Sequence, residues 1–251
     1  MSSDPAVVSI ECVDLSIADP AGRRLVDGVT FTLPRRAALM VCGATGSGKS
    51  TLAAVLAGRA ADGVRVDGGE AVVEGTSLRR GGRRLRGLGV YVGYVGQADG
   101  ATLPPRMTVA EIVGEPFTGR VRRANGRAVQ LRVAELLDEL TLPLGLAAKF
   151  PYELSAGMRQ RVAIARALML EPRLIVGDEI LANLDVDARR VVGDALGRRR
   201  AKGTSLMLVT NDAEVADTFD ADVLVMRDGY TCAYGHGSDT ARGALGDTIV
   251  A

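Results

Sequence analysis

The chain has 251 residues with 31 basic and 30 acidic side chains, a net charge of +1 with its one histidine neutral, and that balance excludes the strongly basic field of a dedicated nucleic-acid binder. A hydrophobic share of 47% beside 24% charged residues supports a sizeable core over about one to two domains, which excludes disordered and collagen-like classes. No Trp and 4% aromatics leave few rings for base stacking, and Cys12, Cys42 and Cys232, far apart and odd in number, build neither a disulfide framework nor a paired metal motif.

Met1 to Asp4 are polar and acidic, without the basic and apolar regions of a signal peptide, and no apolar run reaches the ~20 residues of a membrane span. The expectation is a cytosolic chain that reaches a membrane only through a partner. Strand-like runs rich in β-branched residues fall at 7–13, 29–33 and 38–42, and a helical pattern follows over 49–59. Further strands are expected at 71–74 and 90–95. Between 99 and 152, Pro104, Pro105, Pro116, Pro143 and Pro151 surround two helical patterns, 109–113 and 128–140, with no clear strand, so the segment reads as a helical insert. A helix at 155–170, a strand at 174–177, a helix at 187–199 and strands at 205–210 and 223–226 complete the reading. Strands alternating with helices predict an α/β fold whose parallel sheet is covered on both faces, and the closely linked early strands predict an attached antiparallel part. The run 79–86 holds five arginines among glycines. With no aromatic interleaved it reads as a solvated surface segment in preference to a nucleic-acid or anionic-lipid patch.

Gly43, Ala44, Thr45, Gly46, Ser47, Gly48, Lys49, Ser50 and Thr51 complete the phosphate-binding loop pattern, after an apolar strand and at the opening of a helix. Glycines let successive backbone N–H groups curl around an anion, the helix start adds its positive dipole end, and Lys49 supplies a point charge for β and γ phosphates. Ser50 is placed to ligate Mg²⁺. The apolar run 174–177 ends in Asp178 and Glu179. A buried strand delivers such carboxylates to the edge of the sheet where ligands bind, Asp178 for Mg²⁺ and Glu179 to orient or deprotonate an attacking water. Taken alone, the pair also suits a helix cap.

Between these motifs, Leu154-Ser155-Ala156-Gly157-Met158-Arg159-Gln160-Arg161 resembles the signature of ATP-binding cassette proteins, Leu-Ser-Gly-Gly-Gln, with Ala156 and Met158 as departures. Ser155 is equally suited to capping a helix. The resemblance runs from Val8 to about Tyr234. Gln97 resembles the glutamine that touches Mg²⁺ and signals to the membrane subunit, and Leu184-Asp185 resemble the loop along the dimer seam. The segment 103–116 and Pro151-Tyr152-Glu153 are similar to importer cassettes for oligopeptides, dipeptides and nickel, although that group's C-terminal His-Pro-Tyr-Thr element is missing. The resemblance implies a P-loop fold with a parallel core sheet, an antiparallel β-subdomain and an inserted helical subdomain. It implies a single domain over 1–251, with the helical part at 99–170, the core at 1–98 and 171–235, and a short tail at 236–251.

The pattern breaks in four places. Asn211 stands where the family has a histidine that contacts the γ-phosphate, and His236 lies too late to replace it. No aromatic occurs near Ala18 or Asp19 to stack on adenine, which leaves weaker packing or a substitute such as Val26. Ile180 replaces the proline after the catalytic glutamate, and Leu181-Ala182-Asn183 differ from the usual seam. The resemblance therefore implies an ATPase that uses ATP and Mg²⁺, weak at its own nucleotide site, in which Ser155 and Gly157 serve ATP held by a second, different cassette. Transmembrane permease subunits and an extracytoplasmic solute-binding protein are the other implied partners, with no nucleic acid, at the cytoplasmic face of the membrane. Two alternatives stay open, a non-hydrolysing regulatory subunit and a soluble cassette ATPase outside transport.

Overall fold

The computed structural model describes residues 8–79, 83–119, 125–182 and 184–249. Apart from Arg79 and the backbone from Arg83 onward, the arginine-rich run lies outside them, as does the seam residue Asn183. The chain divides into two compact units, one comprising residues up to Tyr94, Arg173–Asp178 and everything from Arg200 on, the other Val95–Pro172 and Glu179–Arg199. The expected helical part, 99–170, differs from this grouping, which adds Glu179–Arg199.

In the first unit, β1 (Val8–Ala18) and β2 (Arg24–Pro34) form an antiparallel hairpin. Asp19 closes it by accepting the N–H groups of Ala21 and Arg23, each at 2.9 Å, the local bonding that favours Asp in turns. Then come β3 (Ala38–Gly43), α1 (Lys49–Leu56), β4 (Arg65–Val73), β5 (Thr76–Ser77), α2 (Arg83–Leu88) and β6 (Val92–Val95). After the helical segment the unit resumes with β7 (Leu174–Asp178), and it ends with β8 (Ser205–Val209), the short helix Glu214–Thr218, β9 (Asp222–Arg227), β10 (Tyr230–His236) and a last helix, Gly237–Ile249. One sheet is four-stranded and antiparallel, ordered β2-β1-β4-β5; the other is six-stranded, ordered β10-β9-β3-β8-β7-β6, parallel from β9 to β7 with β10 antiparallel at its edge. Every residue of β3, β7 and β8 is buried, which is why these strands read as unbroken apolar runs. α1 buries Leu52, Ala53, Val55 and Leu56 in one cluster with Ile10, Leu15 and Ile17 from the first sheet and Leu39, Val41, Leu174 and Val209 from the second.

β1, β2 and β4 run longer than expected, because bulges hide their alternation. Asp14 has φ +52° and Gly69 φ +65°, and a Cβ on Gly69 would lie 2.0 Å from the Asp14 carbonyl oxygen. Only glycine permits that approach, and in the sequence it reads as a turn. The residues expected to form a tail from 236 are instead a strand end and a helix that buries Ser238 and Ala241.

The second unit is helical. Thr108 and Glu111 form a capping box at the start of α3 (Val109–Thr118), and Asn125 caps α4 (Gly126–Glu139). α5 (Ala156–Leu168) and α6 (Val186–Ala201, its last residues in the first unit) follow. α3 continues past Val113, where Gly114 and Pro116 suggest a stop: proline removes one donor, and Gly119 N–H still reaches the Glu115 carbonyl at 2.9 Å. Val109, Ile112, Val133, Leu136, Val162 and Leu168 pack the three helices together. Arg199 Nε donates to Glu139 at 3.3 Å and Arg166 to Glu115 at 3.0 Å.

Candidate nucleotide-binding site

The loop 43–51 joins β3 to α1. Gly43, Gly46 and Gly48 have φ of +140°, +83° and +95°. A Cβ would lie 2.0 Å from the Met226 carbonyl oxygen at Gly43 and 2.5 Å from that of Leu25 at Gly48, so both positions need glycine for conformation and for space. Gly48 is the N-cap of α1, no side chain caps that end, and its first turn holds no acidic residue. The helix start thus presents donors and positive dipole to an anion.

Lys49 folds back over the loop. Its ammonium, 8% exposed as a residue, donates to the Gly43 carbonyl at 2.6 Å, the Ala44 carbonyl at 2.7 Å and Ser47 Oγ at 3.3 Å. From outside, Gly229 in the β9–β10 turn clasps the loop: its N–H donates to the Ser47 carbonyl at 3.2 Å, while its own carbonyl accepts the Asp27 N–H at 2.9 Å. Ala44, Thr45, Gly46 and Ser50 are exposed, Ser47 is buried, and Thr51 is half-buried.

Parallel registry brings the carboxyl ends of β3, β8 and β7 to one edge, with Val41 opposite Val209 and Asp178 opposite Val209. Gly43, Asn211 and Asp178 meet there. Asp178 is 3% exposed, and the exposed Asn211 accepts the Gly43 N–H through Oδ1 at 3.0 Å. Ser50 and Asp178 offer a hydroxyl and a carboxylate, hard oxygen donors of the kind Mg²⁺ takes. Among the described residues no group of three His, Cys, Asp or Glu forms a metal cluster.

The remaining candidates belong to the helical unit. Gln97 is exposed in a turn after β6, beside the bond from Gly96 N–H to Asp99 Oδ2 at 2.9 Å. Ser155 is the N-cap of α5, accepting the Met158 N–H at 3.2 Å, and Gly157 lies in the first turn with Leu184 near it. Glu179 follows Asp178 with φ +53°, a left-handed conformation uncommon for a non-glycine residue. Sequence reasoning missed Gln160: buried at 8% exposure, it donates to the Ile180 carbonyl at 3.4 Å, directly after Glu179.

Other expectations are corrected or sharpened. Val26 is 0% exposed, its Cγ2 3.2 Å from where a Cβ on Gly48 would lie, and a residue locked in the core offers no face to a base. His236 is no tail residue: its ring nitrogens meet Asp222 at 3.0 Å and Asp220 at 3.1 Å. Cys42 is buried, and burial pushes its thiol up to about 11 despite the nearby Lys49 charge, which makes it a core residue and not a nucleophile.

The chain is 37% identical over 207 residues to an Fe(3+) ions import ATP-binding protein of Pseudomonas fluorescens, covering 81% of this chain and 55% of that protein. It is 34% identical over 217 residues to the oligopeptide transport ATP-binding protein OppF of Escherichia coli, covering 86% and 64%. It thus spans somewhat over half the length of these relatives. A dimeric ATP-binding cassette in a post-hydrolysis state bound to ADP and phosphate superposes with a TM-score of 0.81 at 24% identity, covering 90% of this chain and 98% of the other, a likeness that establishes the fold. With the family described as ABC transporter matching residues 26–182, the loop, the strand-borne carboxylates and the signature helix lie on a recognised framework: this chain belongs to the ATP-binding cassette transporter family.

Proposed function

We propose that this chain is the ATP-binding subunit of an importer, placed at the cytoplasmic face of the membrane, which binds MgATP at residues 43–51 and couples its hydrolysis to solute uptake. The observation that carries this reading is the loop itself: a strand-to-helix turn that tolerates only glycine at two positions, opening an uncapped helix, with Lys49 held over it. Such a loop suits a polyphosphate, because the lysine charge, the helix start and the backbone donors all act on negative oxygen. Mg²⁺, when bound with the nucleotide, neutralises phosphoryl charge, and Ser50 and Asp178 are the residues of the first unit that would hold it. Thr51 continues the helix start behind Ser50.

Glu179 is assigned the water, orienting it and taking its proton. Asn211 can donate a hydrogen bond to a terminal phosphate through its amide but cannot take up a proton as a histidine does. Gln97 is assigned contact with Mg²⁺, and Ser155 with Gly157 the ATP of a second cassette. These four roles rest on the family resemblance and on sequence position. The partners proposed are a different cassette, permease subunits and an extracytoplasmic solute-binding protein. The solute proposed is a peptide, supported by segment 103–116 and by relatives named for oligopeptide transport. No helix among the described residues is long and apolar enough to cross a membrane.

The test is calorimetric titration of MgATP into the wild type and Lys49→Ala. Affinity should fall at least tenfold in the variant, since a charge-assisted contact to phosphate is worth about 1.5–3 kcal/mol. Equal affinity in the two proteins sinks the assignment.

A further inference from the structure

Asn211 does something that the γ-phosphate role does not require. Its side-chain oxygen accepts the N–H of Gly43 at 3.0 Å, and the carbonyl of that same Gly43 accepts the Lys49 ammonium at 2.6 Å. Gly43 is also the residue whose φ of +140° and tight fit against Met226 turn the chain out of β3. An amide oxygen that accepts a backbone N–H has a fixed orientation, so the two donors on Nδ2 are the part of Asn211 left for solvent or ligand. The exit of β8 is itself braced, by Thr210 N–H on the Val41 carbonyl at 3.0 Å and Asp212 N–H on Thr210 Oγ1 at 3.2 Å. Asn211 is therefore presented to the loop from a fixed backbone.

We propose that Asn211 is a positioning residue that sets the phosphate loop through Gly43, and through the Gly43 carbonyl sets Lys49, so that it acts on every nucleotide the loop binds and not only on those with a terminal γ-phosphate. The proposal rests on the nucleotide reading above. Without the acceptor, the first glycine's N–H loses its Asn211 partner, and the lysine is held by a less ordered carbonyl. One hydrogen bond of this kind corresponds to about a fivefold change in an equilibrium.

The experiment compares MgADP and MgATP binding by calorimetry in the wild type and Asn211→Ala, alongside hydrogen exchange of the Gly43 amide in the nucleotide-free protein. Both nucleotides should weaken by the same factor, about fivefold, and Gly43 should lose protection while Leu39 and Val41 in the same strand keep theirs. Asn211→Asp retains an acceptor and should keep the Gly43 amide protected; it serves as the second variant should alanine fail to fold. Loss of MgATP affinity alone, with MgADP binding and Gly43 protection unchanged, overturns the proposal and leaves Asn211 a γ-phosphate contact. Lys49→Ala binding nucleotide as well as the wild type fails the nucleotide reading instead, and the exchange measurement, which involves no nucleotide, separates the two failures.

Discussion

Glycines in one loop face different demands, and the difference can be measured. Gly46 has φ +83° with nothing within 4 Å of an added Cβ, whereas Gly48, at φ +95°, would drive a methyl to 2.5 Å from a backbone oxygen. Gly46→Ala should cost only the conformational strain, about 1 kcal/mol, and Gly48→Ala about 2–3 kcal/mol as the β2 backbone is displaced. Urea midpoints of the two variants give the comparison, and equal losses would show that the Leu25 carbonyl yields freely. The loop, Lys49 and the Asp178–Glu179 pair were legible in the sequence because each is a short pattern whose chemistry depends on adjacent residues. The Asn211 contact to Gly43 and the Gly229 clasp were not, since they join residues far apart in sequence, 168 positions in the first case, through pairings that no local pattern records. Val26 misled for the opposite reason: apolar character alone does not say which face a side chain takes.

Among the elements, the buried strands and amphipathic helices declared themselves by periodicity, while β10 did not. Its burial alternates only between exposed and half-buried, so it offers no apolar run, and the helix after it is anchored by polar contacts. Asp217 accepts the Ser238 N–H at 2.9 Å, and His236 sits between Asp222 and Asp220, with Arg200 also near Asp220 at 3.7 Å. Hydrogen bonds to Asp222 first and Asp220 next hold the His236 imidazolium above its usual value of 6.5, and the bonds from Ser238, with the more distant Arg242 charge, hold Asp217 below the carboxylate range. A raised histidine pKa contributes stability fully below its unfolded value and loses it as pH rises through the folded one. The gap in thermal midpoint between wild type and His236→Gln should thus be present near roughly pH 6 and closed by roughly pH 9; a gap that persists at the higher pH would refute the charged clasp. On α5, Ser155→Ala should cost about 1 kcal/mol as the cap is lost. Ser155→Asp should keep that stability yet suppress ATP-driven pairing of cassettes, because a carboxylate there repels phosphate. Pairing that survives in the aspartate variant, measured by light scattering, would remove Ser155 from the partner's site.

For the whole molecule, the proposed pairing of two cassettes makes a prediction of asymmetry. On the proposed assignments, Asn211 and Ile180, with no aromatic at 18 or 19, fall to the nucleotide held by this chain's own loop, whereas Ser155 and Gly157 are proposed to serve the other. Purified alone, the chain should bind ATP but turn it over well below the ~1 per second at the low end of typical enzymes, since small misplacements of base or water cost orders of magnitude. In the assembled complex Glu179→Gln should do less harm than the matching change in the partner. Fast, Glu179-dependent hydrolysis by a homodimer would overturn the asymmetry. The β9–β10 hairpin holds a last consequence, for tolerance of added sequence. Its tip, the exposed Asp228 and the buried Gly229, has the sequence of a two-residue turn of the kind that ordinarily accepts a tag or a cleavage site. Because Gly229 bonds both to Ser47 and to Asp27, an epitope spliced there should leave a folded chain blind to nucleotide, whereas the same epitope at Gly75, where nothing lies within 4 Å of an added Cβ, should be carried without loss.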